Sequence, residues 1–248
     1  MSILGIDIGG SGIKGALVDV KEGKFVSERY RIATPEGGKP EDIADVVKKL
    51  VNYFDYSGIV GCTFPSVIKN GIALTAANVD QSWIGMNIPK LFKKKAECDF
   101  IVMNDADAAG FAEFEFGHIK GNNKDVVIFL TIGTGIGSAI FLNGELLPNT
   151  EFGHMEIRGK DAEHRASDAV RKKNNMGWKD WAKNLEEYLQ RLEALFYPDL
   201  FILGGGVSKQ SEKYLPYIEL NTRIIPAKLK NKAGIIGAAV YVSKFKKQ

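Results

Sequence analysis

Leu130-Thr131-Ile132-Gly133-Thr134-Gly135-Ile136-Gly137-Ser138 places three glycines at alternate positions between two short apolar runs, 126–130 (VVIFL) and 139–142 (AIFL). β-Branched and aromatic residues in runs of this length predict buried strands, so the glycines join strand to strand. A dinucleotide-binding fingerprint or a Walker A loop needs a helix after its glycines, because the helix N-terminus receives the phosphate. No helix is predicted here. Backbone N–H groups in such a turn approach a ligand without side-chain obstruction, and Thr131 and Thr134 add hydroxyls, which makes a phosphate cradle in a hairpin. An ordinary glycine-rich turn would account for one such segment equally well, but the chain holds two.

The second instance opens the chain: an apolar run at 3–8, then Gly9-Gly10-Ser11-Gly12-Ile13-Lys14-Gly15, then Ala16-Leu17-Val18. Set against the later segment, Asp7 falls opposite Thr131 and Gly9 opposite Gly133, which reads as an internal duplication. Lys14 does not complete a P-loop, since the Gly-Lys-Ser/Thr ending is missing and a strand follows. Asp7 at a strand end suits Mg²⁺ held through water, and Ser11, Gly12 and Lys14 suit phosphate oxygens. A turn carboxylate bonding its own backbone is the plainer account of Asp7.

With 248 residues, 45% hydrophobic and 25% charged, the chain can bury one sizeable core or two small ones, and disordered or fibrous classes are excluded. A net charge of +3 is too small to argue for nucleic acid, and the runs Lys93-Lys94-Lys95 and Arg171-Lys172-Lys173 read as solvated faces. Two cysteines, Cys62 and Cys98, supply neither a disulfide framework nor a metal set. No stretch approaches the roughly twenty apolar residues of a spanning helix, and no cleavage signal is seen, so a soluble cytoplasmic protein without a membrane partner is expected.

Residues 25–33 read as a third meander strand, 34–38 as a loop, and Ile43, Val46, Val47, Leu50, Val51 and Phe54 as the buried stripe of a helix with Glu41 and Asp42 at its start. A strand at 59–62 completes the order meander, helix, strand of a ribonuclease-H-like half. The stretch around Asn78, Asp80 and Trp83 reads as a polar loop, which fits a carbohydrate site with Trp83 available to an apolar sugar face and fits a packed surface loop equally well. A strand at 100–103 runs into Asn104-Asp105 and a helix ending near Gly117. Asp105 at that junction is either an N-cap or, beside two phosphate cradles, the base that accepts a hydroxyl proton.

Further on, Glu151-Phe152-Gly153-His154 has no further ligand at metal spacing apart from the distant His164, so hydrogen bonding to a polar ligand is its better functional reading, with a satisfied structural histidine as the alternative. The stretch 161–175 is polar and poorly periodic. Trp181, Leu185, Tyr188, Leu189, Leu192, Leu195 and Phe196 mark a long helix. A strand at 200–203 breaks at Gly204-Gly205-Gly206-Val207-Ser208, a turn suited to nucleotide or phosphates, with Lys209 beside it, or equally to tight strand packing. Residues 233–240 are small, apolar and helical in pattern.

Asp-x-Gly-Gly-x-x-x-Lys at Asp7 to Lys14, Asn104-Asp105, Gly133-Thr-Gly-Ile-Gly, Glu151-x-Gly-His154 and Gly204-Gly-Gly in this order resemble the ROK-family sugar kinases over nearly the whole chain. The strings Ala77-Asn78-Val79-Asp80, Ser82-Trp83-Ile84-Gly85, Asn104 through Ala109, Pro148 through Glu151 and Pro198 through Gly206 are similar to the polyphosphate glucokinase branch. The family's Cys-rich zinc motif after the Gly-His pair is absent, so no protein zinc site is expected, and Ser66 stands where that pattern has glycine.

The resemblance implies an α/β, actin-like ATPase (ribonuclease H-like) fold of two lobes with a duplicated β-meander core and a cleft between them. The expected lobes are residues 1–107, joined by a C-terminal helix at 233–248, and 108–232. It carries the catalytic base onto Asp105 and glucose contacts onto Asn78, Asn104, Glu151 and His154. It carries phosphate contacts onto Asp7, Gly9, Gly10, Ser11, Gly12, Lys14, Thr131, Gly133, Thr134 and Gly135, with Mg²⁺ accompanying the phosphoryl donor near Asp7.

The implied reaction is phosphoryl transfer from inorganic polyphosphate to glucose, with an ATP-dependent or dual-donor hexokinase as the alternative and a homodimer as the implied assembly. A polyphosphate chain needs a basic track, for which Arg171, Lys172, Lys173, Lys209, Lys228 and Lys230 are candidates. Family repressors carry a helix-turn-helix domain ahead of the first strand, which here begins at Ile3, so a sugar sensor is not expected. An actin-like structural ATPase has no place for Glu151 and His154.

Overall fold

The first glycine segment is a hairpin: β1 (Ser2–Gly9) pairs antiparallel with β2 (Gly12–Asp19), closing on Gly9 opposite Gly12 and setting Asp7 opposite Lys14. The computed structural model describes residues 1–76, 79–117 and 125–245, so Asn78 lies outside the described residues. The hairpin belongs to a unit made of residues 1–116 and 232–248; residues 117–231 form a second unit. Among the described residues no helix is long and apolar enough to cross a membrane.

In the first unit the single strand expected over 25–33 is two short pieces, β3 (Lys24–Phe25) and β4 (Tyr30–Ile32), both pairing β2. The break has a local cause. Leu17 N donates to Ser27 Oγ at 2.9 Å, and Ser27 Oγ donates to Glu28 O at 3.0 Å, so a side chain replaces the ladder there. α1 (Pro40–Tyr53) starts on a proline that needs no N–H partner, carries Glu41 and Asp42 in its first turn, and buries Ile43, Val46, Val47, Leu50 and Val51. β5 (Val60–Phe64) pairs parallel with β1, and β6 (Ile68–Lys69) with β7 (Ile72–Ala73) forms a small hairpin.

α2 (Ile88–Ala96) is a helix that the apolar pattern does not announce, since only Ile88, Leu91 and Phe92 are buried. Asn87 Oδ1 caps it from Lys90 N at 3.0 Å, and its last turn holds Lys93, Lys94 and Lys95. Lys95 is paired with Glu41 and Asp45, each at 2.8 Å. β8 (Phe100–Asn104) extends the sheet, in order β3-β2-β1-β5-β8, and runs directly into α3 (Asp105–Phe116).

The C-terminal helix (Ala233–Phe245) packs on this sheet at backbone distance. A Cβ on Gly5 or Gly61 would collide with the carbonyls of Ile235 or Ala238, and one on Gly237 with that of Ala108 in α3. Only glycine admits that approach.

The second unit repeats the plan. β9 (Val126–Ile132) and β10 (Ile136–Leu142) form the expected hairpin, each longer than its apolar run, and β11 (Glu145–Leu147) follows a two-residue turn in which Asn143 and Gly144 both have positive φ, 53° and 83°. After β12 (Glu156–Ile157) and β13 (Lys160–Asp161), the polar stretch that lacks a period is two short helices, α4 (Glu163–Ala166) and α5 (Asp168–Lys173), the latter capped by Ser167.

α6 (Trp178–Phe196) buries Trp181, Leu185, Tyr188, Leu189 and Leu192, but its stripe ends there, since Leu195 is 59% exposed. β14 (Leu200–Gly205) and β15 (Arg223–Pro226) complete a sheet of order β11-β10-β9-β14-β15. In both units two antiparallel pairings are followed by two parallel ones. The duplication seen in the glycine turns thus extends to the whole sheet.

Candidate active site

The junction of β8 and α3 divides two roles between neighbours. Asn104, buried, accepts at Oδ1 from Ala106 N (2.8 Å) and Asp107 N (3.2 Å), the pattern of an N-cap, and donates from Nδ2 to Ser66 O at 3.1 Å. Asp105 is therefore not the N-cap. It is the first helical residue, exposed, with Oδ1 accepting from Ala106 N at 2.9 Å and the positive end of α3 favouring its charge. Ser66 is buried and ties the loop that receives Asn104, donating from Oγ to Thr75 O at 2.8 Å.

Asp7, on the same sheet, accepts at Oδ1 from Thr63 Oγ1 at 2.8 Å and at Oδ2 from Lys14 Nζ at 3.4 Å. Thr63 also accepts from Ile8 N at 3.3 Å, so a fully buried hydroxyl orients the carboxylate. Asp7 is thus not the self-bonded turn carboxylate of the plainer sequence reading. Of the two readings open for Trp83, the structure takes the packed one. It is fully buried, donates from Nε1 to Gly38 O at 2.8 Å, and packs 4.4 Å from the ring of Phe64, so it is core and offers no sugar face.

In the second unit the Gly133 to Gly137 turn and the Glu151-x-Gly-His154 motif meet. Ser138 Oγ donates to Thr150 O at 2.7 Å and accepts from Phe152 N at 3.0 Å, while a Cβ on Gly153 would strike Ile136 O. Glu151 is half-buried, and burial is what raises its pKa, against the attraction of His154. His154 Nδ1 lies 2.9 Å from Asp161 Oδ2, and that bond raises the imidazole's pKa.

Sequence reasoning missed Glu163. From α4 its Oε2 accepts from Ile136 N at 3.1 Å and occupies the space a Cβ on Gly135 would need. The only sequence signal was a lone glutamate inside a stretch without period.

At the third glycine run, a Cβ on Gly204 would press on Phe129, and one on Gly205, whose φ is 77°, on Ile132 backbone; Gly206 faces open space. Tight packing therefore explains two of the three glycines. Of the basic-track residues, Arg171 and Lys172 are paired with Asp168 at 2.8 and 2.7 Å. Burial opposes the charge on Asp168, but the bonds from Lys172 and Arg171 outweigh it and hold the carboxyl below the usual range. Lys173, Lys209, Lys228 and Lys230 are exposed.

The ROK family model matches residues 3–172. The polyphosphate glucokinase of Mycobacterium tuberculosis is 46% identical over 237 residues, 95% of this chain and 89% of that protein. The inorganic polyphosphate/ATP-glucomannokinase of Arthrobacter sp. strain KM superposes with a TM-score of 0.93 at 43% identity, over 98% of this chain and 99% of that one. A ROK family glucokinase from Streptomyces griseus, solved with glucose and AMPPNP, shares the fold with a TM-score of 0.80 at 24% identity, over 96% and 98% of the two chains. Two sheets of one strand plan, each headed by a glycine hairpin, are the duplicated meander of the actin-like ATPase fold, and the chain belongs to the ROK family of that fold.

Proposed function

We propose that this chain is a polyphosphate-dependent glucokinase that transfers the terminal phosphoryl group of inorganic polyphosphate to the 6-hydroxyl of glucose. The donor and sugar come from its likeness to the polyphosphate glucokinase of M. tuberculosis. The chemistry rests on one observation: Asn104 caps α3, which leaves the adjacent Asp105 carboxylate exposed at the helix's positive end.

In this reading Asp105 accepts the 6-hydroxyl proton as O6 attacks the terminal phosphorus in line. The bond from that phosphorus to its bridging oxygen breaks, and the chain shortened by one unit leaves. Glu151 and His154 bind sugar hydroxyls, with Glu163 added to them, and Asn104 positions Asp105 while Nδ2 serves the sugar loop. The amides of turns 9–12 and 133–135, with Ser11, Thr131 and Thr134, hold phosphate oxygens.

Among the described residues no three His, Cys, Asp or Glu side chains gather into a metal cluster. The donor set suits a Mg²⁺ that arrives with phosphate and keeps most of its waters, for which one carboxylate, Asp7, suffices. Such an ion neutralises charge on the transferring group. The reading goes with a cytoplasmic homodimer.

The test is glucose 6-phosphate formation by purified protein with Mg²⁺, comparing long-chain polyphosphate with ATP at matched phosphoryl concentration. Preference for polyphosphate is expected, and no product with either donor would sink the reading. Asp105→Asn should lower kcat by roughly 10²–10⁴-fold with glucose binding retained. A dual-donor enzyme is the second reading, favoured by likeness to a polyphosphate/ATP-glucomannokinase. Gly206, with open space at its α-carbon, is then the place for a nucleotide to approach.

A further inference from the structure

The tip of the first hairpin is covered by a side chain that no motif indicates. Arg31, on β4, donates from Nη2 to Ser11 O at 2.6 Å. Its guanidinium lies across Gly12, where an added Cβ would fall 2.5 Å from Nε and 2.7 Å from Cζ. Three residues on, Thr34 Oγ1 donates to Gly9 O at 2.5 Å. Carbonyl oxygens repel phosphate, and two of those in turn 9–12 are held by donors from this one side.

Charge points the same way. Lys14, the cation that the motif assigns to phosphate, is turned to Asp7 at 3.4 Å. Arg158, Arg165 and Arg171 are each paired with a carboxylate at 2.7–2.8 Å. Arg31 forms no ion pair among the described residues and is exposed, so its full charge stands at the turn. A guanidinium carries five N–H donors in a planar fork, and one of these is given to Ser11 O.

We propose that Arg31 is a donor-binding residue, which braces the Ser11-Gly12 tip with one N–H and presents others to the phosphate oxygens of a polyanionic donor. The proposal rests on the kinase reading above and adds to it the residue that supplies uncompensated positive charge to the first cradle.

The test compares Arg31→Lys, Arg31→Gln and Arg31→Ala. Tripolyphosphate and long-chain polyphosphate binding is measured by calorimetry, and steady-state rates are measured with donor and glucose varied separately. Donor Kd and donor KM are expected to rise about tenfold or more in the Gln and Ala variants and about threefold in the Lys variant, with glucose KM within about twofold of wild type. Donor affinity unchanged in Arg31→Ala, wild-type donor affinity in Arg31→Gln, or an equal rise in glucose KM would each overturn the proposal. The Lys and Gln variants both keep a long stem and differ in charge, so their ratio decides even if the Ala variant melts early. If wild type binds polyphosphate but makes no glucose 6-phosphate, the kinase reading fails while the binding comparison still decides Arg31.

Discussion

The two glycine hairpins share a strand plan, down to an isoleucine pair beside each turn, and differ in the polar and charged groups around it. The first closes on a two-residue turn with a carboxylate facing a lysine across the ladder, Asp7 opposite Lys14. The second closes on three residues, with Thr131 facing Gly137 at the matching place. On the neighbouring parallel strand, Thr63 stands beside Asp7 and orients it, whereas Gly204 stands beside Thr131 and makes room for Phe129. A cation, Arg31, reaches over the first turn; an anion, Glu163, takes the Ile136 N–H of the second. Duplication therefore sets the frame of both hairpins, while side chains arriving from other elements set the sign of the charge beside each turn.

The largest effect expected within this comparison is that of Gly205→Ala. Its positive φ and the Ile132 backbone against its α-carbon should cost about 3 kcal/mol, read as a lowered urea midpoint. A loss under about 1 kcal/mol would mean that the second hairpin is not held rigidly from β14. Next comes Thr63→Val, which leaves Asp7 Oδ1 and Ile8 N without that hydroxyl and should cost about 1–3 kcal/mol. If unfolding is unchanged, Asp7 is oriented by Lys14 alone. Glu163→Gln replaces a charged acceptor at Ile136 N by a neutral one, for a loss of about 1 kcal/mol; a gain would show that the anion strains the turn.

The smallest effect is a matter of pH. His154 has its pKa raised above 6.5 by its bond to Asp161, so that pair's contribution is fully present below pH 6.5 and fades as pH rises through the folded value. Asp161→Asn should lower Tm by about 2 °C or less at pH 5.5, since the imidazole is well solvated, and by less still at pH 9. A difference that grows with pH would reverse the assignment of the bond.

Much of this architecture was legible in local pattern. The two strand-glycine-strand segments, the stripes of α1 and α6, and the feed of β8 into α3 at Asn104-Asp105 follow from periodicity and composition over short windows. Where the pattern was weak the structure was hidden. Only three residues of α2 are buried, and α4 and α5 are too short to show a period. Trp83 looked like a ligand residue because its neighbours in sequence are polar, yet its neighbours in space are Phe64 and Phe92.

The sequence by itself determined the repeated meander, its family and the identity of the acid at the head of α3. Only the tertiary structure decided that Asn104 rather than Asp105 caps that helix, that Thr63 orients Asp7, and that Arg31 and Glu163 put opposite charges on the two turns. The reason is range: backbone conformation follows from residues a few positions apart, whereas a side chain crossing from one element to another, over 56 residues for Thr63 and 27 for Glu163, leaves no period in the chain.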